Sequence, residues 1–256
     1  MDLEIFLNTA IDSVKSSGKI LLKYYGKKTN IEFKEDNSPV TVADKESEEN
    51  IINSISKAFP KHSFLGEESG EIGTKSDYLW VIDPLDGTSN YSNHIPYFCI
   101  SIALLFKRKP IVGVIYDPIH DDLFTTTKNG GTYLNGKEIK IIDNKIRKTS
   151  YISLVYSRSK EMKEKINNAF EKLDPPLFRI RNMGAAALEL AYVAVNKLDG
   201  IIINGNNPWD VCAGILLIEE AGGVITDFRN NSWSLDSKNV VASSPEMHET
   251  LVQKLN

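Results

Sequence analysis

Asp83 and Asp86, three residues apart in Trp80-Val-Ile-Asp-Pro-Leu-Asp-Gly-Thr-Ser-Asn90, carry the strongest chemical signal in the chain. Leu79, Trp80, Val81 and Ile82 run into the first carboxylate, as a buried strand does on reaching the edge of a sheet. Pro84 has no N–H for a sheet ladder, so the strand is expected to stop there. In a continuous strand, carboxylates at this spacing point to opposite faces. Bent around Pro84, they can converge. Gly87 permits a backbone shape, or a close approach, that a side chain would block. Thr88, Ser89 and Asn90 are residues that start helices. The unit therefore offers two acidic ligands, the carbonyl of Leu85 and helix-start N–H groups at Gly87 and Thr88. Acidic oxygens hold a hard cation, and N–H groups at a helix start hold a phosphate. The chemistry indicated is a divalent metal acting on a phosphate ester. A turn of ordinary turn residues is the plainer alternative for the same letters.

Further acidic residues fall where elements begin or end. Ser63-Phe-Leu-Gly-Glu-Glu-Ser69 reads as a short strand closing on Glu67 and Glu68. Asp44 opens a helix, and so does Asp210, after Pro208-Trp209. An Asp at a helix start usually serves only as a cap or dipole partner. The helix after Asp210, Val211 to Ile218, is almost wholly apolar, which places that carboxylate where core meets surface. If buried there, it must be paired or metal-bound.

The elements that would position these groups follow from periodicity. Leu3, Phe6, Leu7, Ala10, Ile11, Val14, Leu21, Leu22 and Tyr25 form a helical stripe, with Gly26 as its stop. Lys34 to Pro39 reads as a loop. A second helix opens at Thr41-Val-Ala-Asp44, carries Ile51, Ile52, Ile55 and Phe59 on one face, and ends at Pro60. From Phe98 to Ile142, β-rich runs alternate with turn signals such as Asn129-Gly-Gly and Asn135-Gly136, an antiparallel meander. The charged stretch 143–150 breaks that pattern and divides an α+β lobe, 1–145, from an α/β lobe, 146–256. In the second lobe, strands at 151–155, 198–203, 224–227 and 240–242 alternate with helices at 159–172, 184–197, 210–221 and 245–255.

Bulk properties narrow the function classes. With 256 residues, 41% of them hydrophobic, the chain can bury a large core. A formal charge of −4 provides no broad basic footprint, which argues against nucleic acid as a main partner. Lys107-Arg108-Lys109 is expected to solvate a hairpin turn. Cys99 and Cys212 lie in apolar surroundings without CxxC spacing and read as reduced, buried thiols. The start, Met1-Asp2-Leu3-Glu4, has no signal-peptide pattern, and no apolar run is long enough to span a bilayer. A cytoplasmic protein without membrane partners is the expectation.

Taken together, Asp36-Asn-Ser-Pro-Val-Thr-Val-Ala-Asp44, Gly66-Glu-Glu-Ser69, Trp80 to Tyr91, and Pro208-Trp-Asp210 with Glu220-Ala-Gly-Gly223 resemble the inositol monophosphatase family. That family lies within the magnesium-dependent, lithium-sensitive phosphatases that include fructose-1,6-bisphosphatases. Val112 to Pro118 and Tyr133-Leu-Asn-Gly136 match as well, so the likeness runs nearly the whole length. It implies an α/β (α+β) fold, the layered αβαβα sandwich of the sugar phosphatases, with the site between the lobes. It also implies a homodimer. By the same resemblance, Glu67, Asp83 and the Leu85 carbonyl would hold one Mg²⁺. Asp83, Asp86 and Asp210 would hold a second, with Glu67 helping a weaker third. Thr88 and Asp44 would orient the attacking water and take its proton, and the Gly87 and Thr88 N–H groups would grip the phosphate. An oxygen-only ligand set free of Cys and His suits Mg²⁺ rather than zinc.

The small-molecule phosphate ester itself is less sharply indicated. Similar inositol phosphatases carry a Glu seven residues before the Asp of the Trp-Asp pair, where this chain has Ile203. A site that loses such a hydrogen bond loses much of its selectivity for the hydroxyl. Asn204, Asn206 and Asn207 offer other polar contacts, and Ala186 falls where the family lines its sugar pocket with backbone. Arg179 and Arg181 suit either a second phosphate or structural ion pairs. The expected activity is hydrolysis of a polyol or sugar phosphate, myo-inositol 1-phosphate first and fructose 1,6-bisphosphate next. A 3′,5′-bisphosphate nucleotidase and a histidinol phosphatase are more distant alternatives. A catalytically silent regulatory protein is the rival from another class.

Overall fold

Helix α1 (Leu3–Tyr24) starts at Asp2, whose carboxylate accepts the Glu4 N–H at 3.1 Å. The computed structural model describes residues 2–27, 31–33, 39–142, 149–156, 171 and 178–255. Small residues on the buried face of α1, Ser17 and Gly18 among them, let it lie close to its neighbours. A Cβ on Gly18 would stand 2.6 Å from the Tyr116 ring. Alongside runs α2 (Val42–Ala58), which starts in a capping box between Thr41 and Asp44.

Against these two helices lies an eight-stranded sheet, its strands in spatial order β10-β9-β8-β7-β6-β5-β3-β4. Its members are β3 (Ser63–Gly66), β4 (Gly70–Ile72), β5 (Tyr78–Asp86), β6 (Cys99–Phe106), β7 (Lys109–Asp117), β8 (Asp122–Thr127), β9 (Gly131–Leu134) and β10 (Lys137–Ile139). The expected meander is β6 to β10, each strand antiparallel to the next. Asn135 and Gly136, at φ of 50° and 78°, make the turn between β9 and β10, and Lys107-Arg108 turns β6 into β7. A separate pair, β1 (Ile31–Phe33) and β2 (Pro39–Thr41), precedes α2.

The second sheet has the order β12-β11-β13-β15-β14, from β11 (Ser150–Tyr156), β12 (Phe178–Arg181), β13 (Gly200–Asn204), β14 (Val224–Thr226) and β15 (Asn239–Ser243). β12, β11 and β13 run parallel, while β15 is antiparallel to β13 and β14. Four strands were not expected from the sequence: β12, a four-residue edge strand of alternating Phe-Arg-Ile-Arg, and the three-residue strands β1, β2 and β4. Runs this short hold too few residues for period-two alternation to register. Of the expected loop 34–39 only Pro39 is described, and it opens β2 as a strand residue. Of the charged break 143–150 only 149 and 150 are described, Ser150 opening β11. Of the expected helix 159–172 only Glu171 is described.

Helices α4 (Ala186–Ala194) and α5 (Pro208–Glu220) fill the space between the sheets, and α6 (Pro245–Leu255) covers the far face of the second. The layers are therefore α1/α2, large sheet, α4/α5, small sheet, α6. Three apolar clusters match the gaps, the largest formed by both inner sheet faces with α4 and α5. Every residue of α5 from Val211 to Ile218 is buried, as a helix between two sheets requires. Where α4 meets α5, a Cβ on Gly214 would lie 2.5 Å from the Leu190 Cβ. Gly214→Ala is expected to cost about 1–3 kcal/mol by overpacking. Urea unfolding measures it, and an unchanged midpoint would show that the two helices can part at no cost. Among the described residues, no helix is long and apolar enough to cross a membrane.

Candidate active site

β5 does not stop at Pro84. It pairs with β6 through Asp83↔Ser101, skips, and resumes at Asp86↔Cys99. Three steps on β5 thus face two on β6, which is a β-bulge. This corrects the expected strand end and explains the convergence. One extra residue shifts the alternation, so carboxylates that a regular strand would send to opposite faces come to share one. Proline is tolerated because a bulge leaves a residue out of the ladder. The free Pro84 carbonyl accepts the Ser47 hydroxyl of α2 at 3.0 Å, and Asp83 Oδ1 accepts the Leu85 N–H at 3.0 Å. Gly87 follows at φ +90°, where a Cβ would also meet the Tyr97 carbonyl and the Ala185 Cβ at 3.1 Å. Glycine is required on both counts. Helix α3 (Thr88–Ser92) starts immediately after it.

Asp44 and Asp210 are caps and site residues at once. Asp44 Oδ2 accepts the Thr41 N–H at 2.8 Å and the Thr41 hydroxyl at 2.6 Å. Those bonds turn Oδ1 outward to the Thr88 hydroxyl, 3.1 Å away. The same hydroxyl lies 3.0 Å from the Leu85 carbonyl, and with one proton it can donate to only one of the two at a time. Asp210, in the first turn of α5, accepts the Asn207 N–H at 2.7 Å within a second capping box. Ser101, opposite Asp83, donates to the Trp209 carbonyl at 3.4 Å and brings the start of α5 to the bulge.

Asp86 does something the sequence did not announce. Ala185, the cap residue of α4, makes no side-chain capping bond. Asp86 caps that helix from a hundred residues away, accepting the N–H groups of Ala186 at 3.1 Å, Ala187 at 2.7 Å and Leu188 at 3.4 Å. The Ala186 N–H is thus directed to Asp86. Cys99 Sγ stands 3.6 Å from the same carboxylate, and both cysteines are buried free thiols.

Electrostatics tie these groups into one site. Burial first, then the charges of Glu67, Asp86 and Asp210, push the Asp83 carboxyl well above its usual range. Burial and the Asp210 charge do the same to Asp86. Asp44 is pushed up to about 6, mainly by burial, with Glu67 adding to it. Among the described residues, no three acidic, His or Cys side chains close into a ligand cluster as they stand. Each of Asp44, Asp83, Asp86 and Asp210 instead has an oxygen on a backbone N–H, which leaves further lone pairs for other partners. Buried carboxylates that raise one another's pKa fit a hard divalent cation, which would remove the repulsion.

Two residues of α2 that the motifs passed over belong to this region. Ser47 holds the bulge, and Glu48, only 3% exposed, accepts the Glu68 N–H at 3.0 Å and so shapes the Glu67–Glu68 turn. A Cβ on Gly66 would fall 2.5 Å from the Glu48 carboxylate. Their signal was present: Ser47 and Glu48 lie three and four residues after Asp44, polar interruptions of a buried helical face. Gly66→Ala is expected to displace that turn and cut any phosphate-ester hydrolysis at this site by about tenfold or more, since small misplacements of catalytic groups are costly. Full activity would show that Glu48 can swing aside.

The residues expected to contact substrate are spread more widely. Arg179 and Arg181 are exposed on β12, opposite Tyr151 and Ser153. The Arg181 guanidinium sits 4.8 Å from the Tyr151 ring centre and donates to the Ile180 carbonyl. Ile203, 2% exposed, packs with Ile201 on the α4/α5 side of the second sheet. Asn204, at the end of β13 and 2% exposed, follows Ile202, whose face packs toward α6. Strand alternation therefore turns Asn204 away from the face of Ile203.

A model described as the inositol monophosphatase family matches residues 2–256. Nus factor SuhB of Escherichia coli K12 is 37% identical over 257 residues, 97% of this chain and 95% of its own. Inositol monophosphatase 1 of Solanum lycopersicum is 34% identical over 261 residues, 99% and 95% of the two chains. The solved structure of an inositol monophosphatase from Anabaena (Nostoc) sp. PCC 7120 is 36% identical, with a TM-score of 0.87 over 100% of this chain and 96% of that one. Full-length sequence and fold agreement lead to one conclusion: the chain belongs to the inositol monophosphatase family.

Proposed function

We propose that this protein is a Mg²⁺-dependent phosphomonoesterase of polyol or sugar phosphates, with myo-inositol 1-phosphate as its first substrate. The observation that carries this reading is the bulge at Pro84. It turns Asp83 and Asp86 to one side beside the Asp44–Thr88 pair, with Glu67 and Asp210 in electrostatic reach. Glu67, Asp83 and the Leu85 carbonyl would hold one Mg²⁺ and Asp83, Asp86 and Asp210 a second. Bound there, the ions would supply Lewis-acid activation of water and neutralise charge on the leaving oxygen. The chain's own groups do the rest. Backbone N–H groups of Gly87 and Thr88 bind the phosphate oxygens. The Thr88 hydroxyl orients the attacking water, and Asp44 Oδ1 takes its proton. Capping by Thr41 keeps that carboxylate in one orientation, so it is in place before substrate arrives.

Phosphate release with Mg²⁺ from inositol 1-phosphate, fructose 1,6-bisphosphate, adenosine 3′,5′-bisphosphate and histidinol phosphate tests the reading. Inositol 1-phosphate in the lead supports it, with another group taking the place of a Glu at Ile203. A lead for fructose 1,6-bisphosphate would assign Arg179 and Arg181 to the second phosphate. A chain that hydrolyses none of them would overturn the enzyme reading. It would favour a binding role instead, which the name Nus factor, borne by the Escherichia coli relative, brings into view.

A further inference from the structure

We propose that Asn90 and Glu189 are positioning residues that determine how the polyol part of the substrate is held, separately from its phosphate. The proposal rests on the phosphatase reading above and concerns the backbone between β12 and α4. Met183 to Ala187 lies directly on the Asp86–Gly87 turn, since Asp86 accepts from Ala186 and Ala187 and the Ala185 Cβ packs at Gly87. This segment leads from Arg181 to α4 and forms the wall facing the metal turn.

Two side chains outside the acidic set hold that wall. Asn90 spends both amide hydrogens on carbonyls, Met183 at 2.7 Å and Tyr97 at 2.8 Å, and so joins the wall to α3. Gly184, at φ +81°, passes so close that a Cβ would stand 3.3 Å from the Asn90 amide. Glu189 is fully buried and reaches back from the first turn of α4. Its Oε1 accepts the N–H groups of Gly184 at 3.0 Å and Ala185 at 3.3 Å, while Oε2 accepts the Ser153 hydroxyl. Ser153 is the register partner of Arg181. Every backbone N–H from Gly184 to Leu188 is thereby taken by Glu189 or Asp86.

A cap alone does not require this arrangement. A Ser or Asp at position 185 would satisfy a helix start locally, whereas a buried carboxylate is costly to desolvate. What Glu189 and Asn90 add is registry. One ties the wall to the second sheet beside Arg181, the other to the helix that follows the metal turn. The phosphate would meet Gly87 and Thr88, which neither residue touches by hydrogen bond. The wall, packed on that same turn through Asp86 and Gly87, is the neighbouring surface that hydroxyls of the leaving group would meet.

Steady-state kinetics with Mg²⁺ on two esters separate the roles: inositol 1-phosphate, and p-nitrophenyl phosphate, whose leaving group has no hydroxyl for the wall. For Asn90→Ala and Glu189→Ala, KM for inositol 1-phosphate is expected to rise about tenfold or more. For p-nitrophenyl phosphate, kcat and KM should stay within about threefold of the wild type. Glu189→Gln keeps one acceptor oxygen for the loop and should recover most of the lost selectivity. Equal losses on both esters, or no change on either, would overturn the positioning role while leaving the phosphatase intact. A wild type inert on both would instead bring down the phosphatase reading. Should Glu189→Ala not fold, Asn90→Ala and Glu189→Gln decide the same comparison.

Discussion

Asp83→Asn is expected to lower turnover by about a thousandfold or more, because the proposed mechanism has Asp83 serve both metal positions, each worth several kcal/mol. The same substitution should not destabilise the metal-free fold. Asp83 is 1% exposed, and Glu67, Asp86 and Asp210 all oppose its charge. An Asn can still accept the Leu85 N–H through its carbonyl oxygen. Removing one charge from a crowded buried set relieves repulsion. Thermal unfolding in EDTA should therefore show the variant at or above the wild type. With Mg²⁺ the order should reverse, because a ligand that binds only the folded state raises its stability in proportion to affinity. A variant that keeps wild-type turnover would remove Asp83 from the mechanism. One that melts far lower in EDTA would make it a structural residue.

Asp44→Asn should cost about 10²–10⁴ in turnover if Asp44 takes the proton. It should also change how stability depends on pH. A carboxyl whose folded pKa is raised stabilises the fold fully below its unfolded value and loses that contribution as pH rises through the folded one. For Asp44 the window runs from about 4 to above 6. Its width of roughly two pH units corresponds to about 3 kcal/mol. Asn carries no charge at any pH. In EDTA, the unfolding free energy of the variant relative to wild type should therefore rise by about 2–3 kcal/mol between pH 4 and pH 8. Urea titrations at the two pH values measure it. A difference that does not move would mean that Asp44 titrates like an exposed carboxyl, and that its burial has no energetic consequence.

Much of the site was legible because its parts are local. Asp83 to Thr88 lie within six consecutive residues, and capping boxes at Asp44 and Asp210 need only a Thr or Asn three positions earlier. The helices α1, α2, α5 and α6 and the meander carry long, regular patterns, so periodicity finds them to within a few residues. The four strands that were missed, β1, β2, β4 and β12, are three or four residues long and lie in a two-stranded pair or at a sheet edge, where so short a run carries little pattern of its own.

By itself, then, the sequence determined which acidic residues open or close the elements around Pro84, the turn chemistry at Gly87 and the layered α/β class. Each of these depends on residue type and short-range spacing. Only the tertiary structure decided that β5 passes through Pro84 as a bulge, since a bulge exists by the register of one strand against another. The same holds for the cap that Asp86 gives α4, for the seat of Glu48 against Gly66, and for Asn204 facing away from Ile203. A hydrogen bond between residues a hundred positions apart leaves no local pattern, because what brings its partners together is the packing of α4 between two sheets.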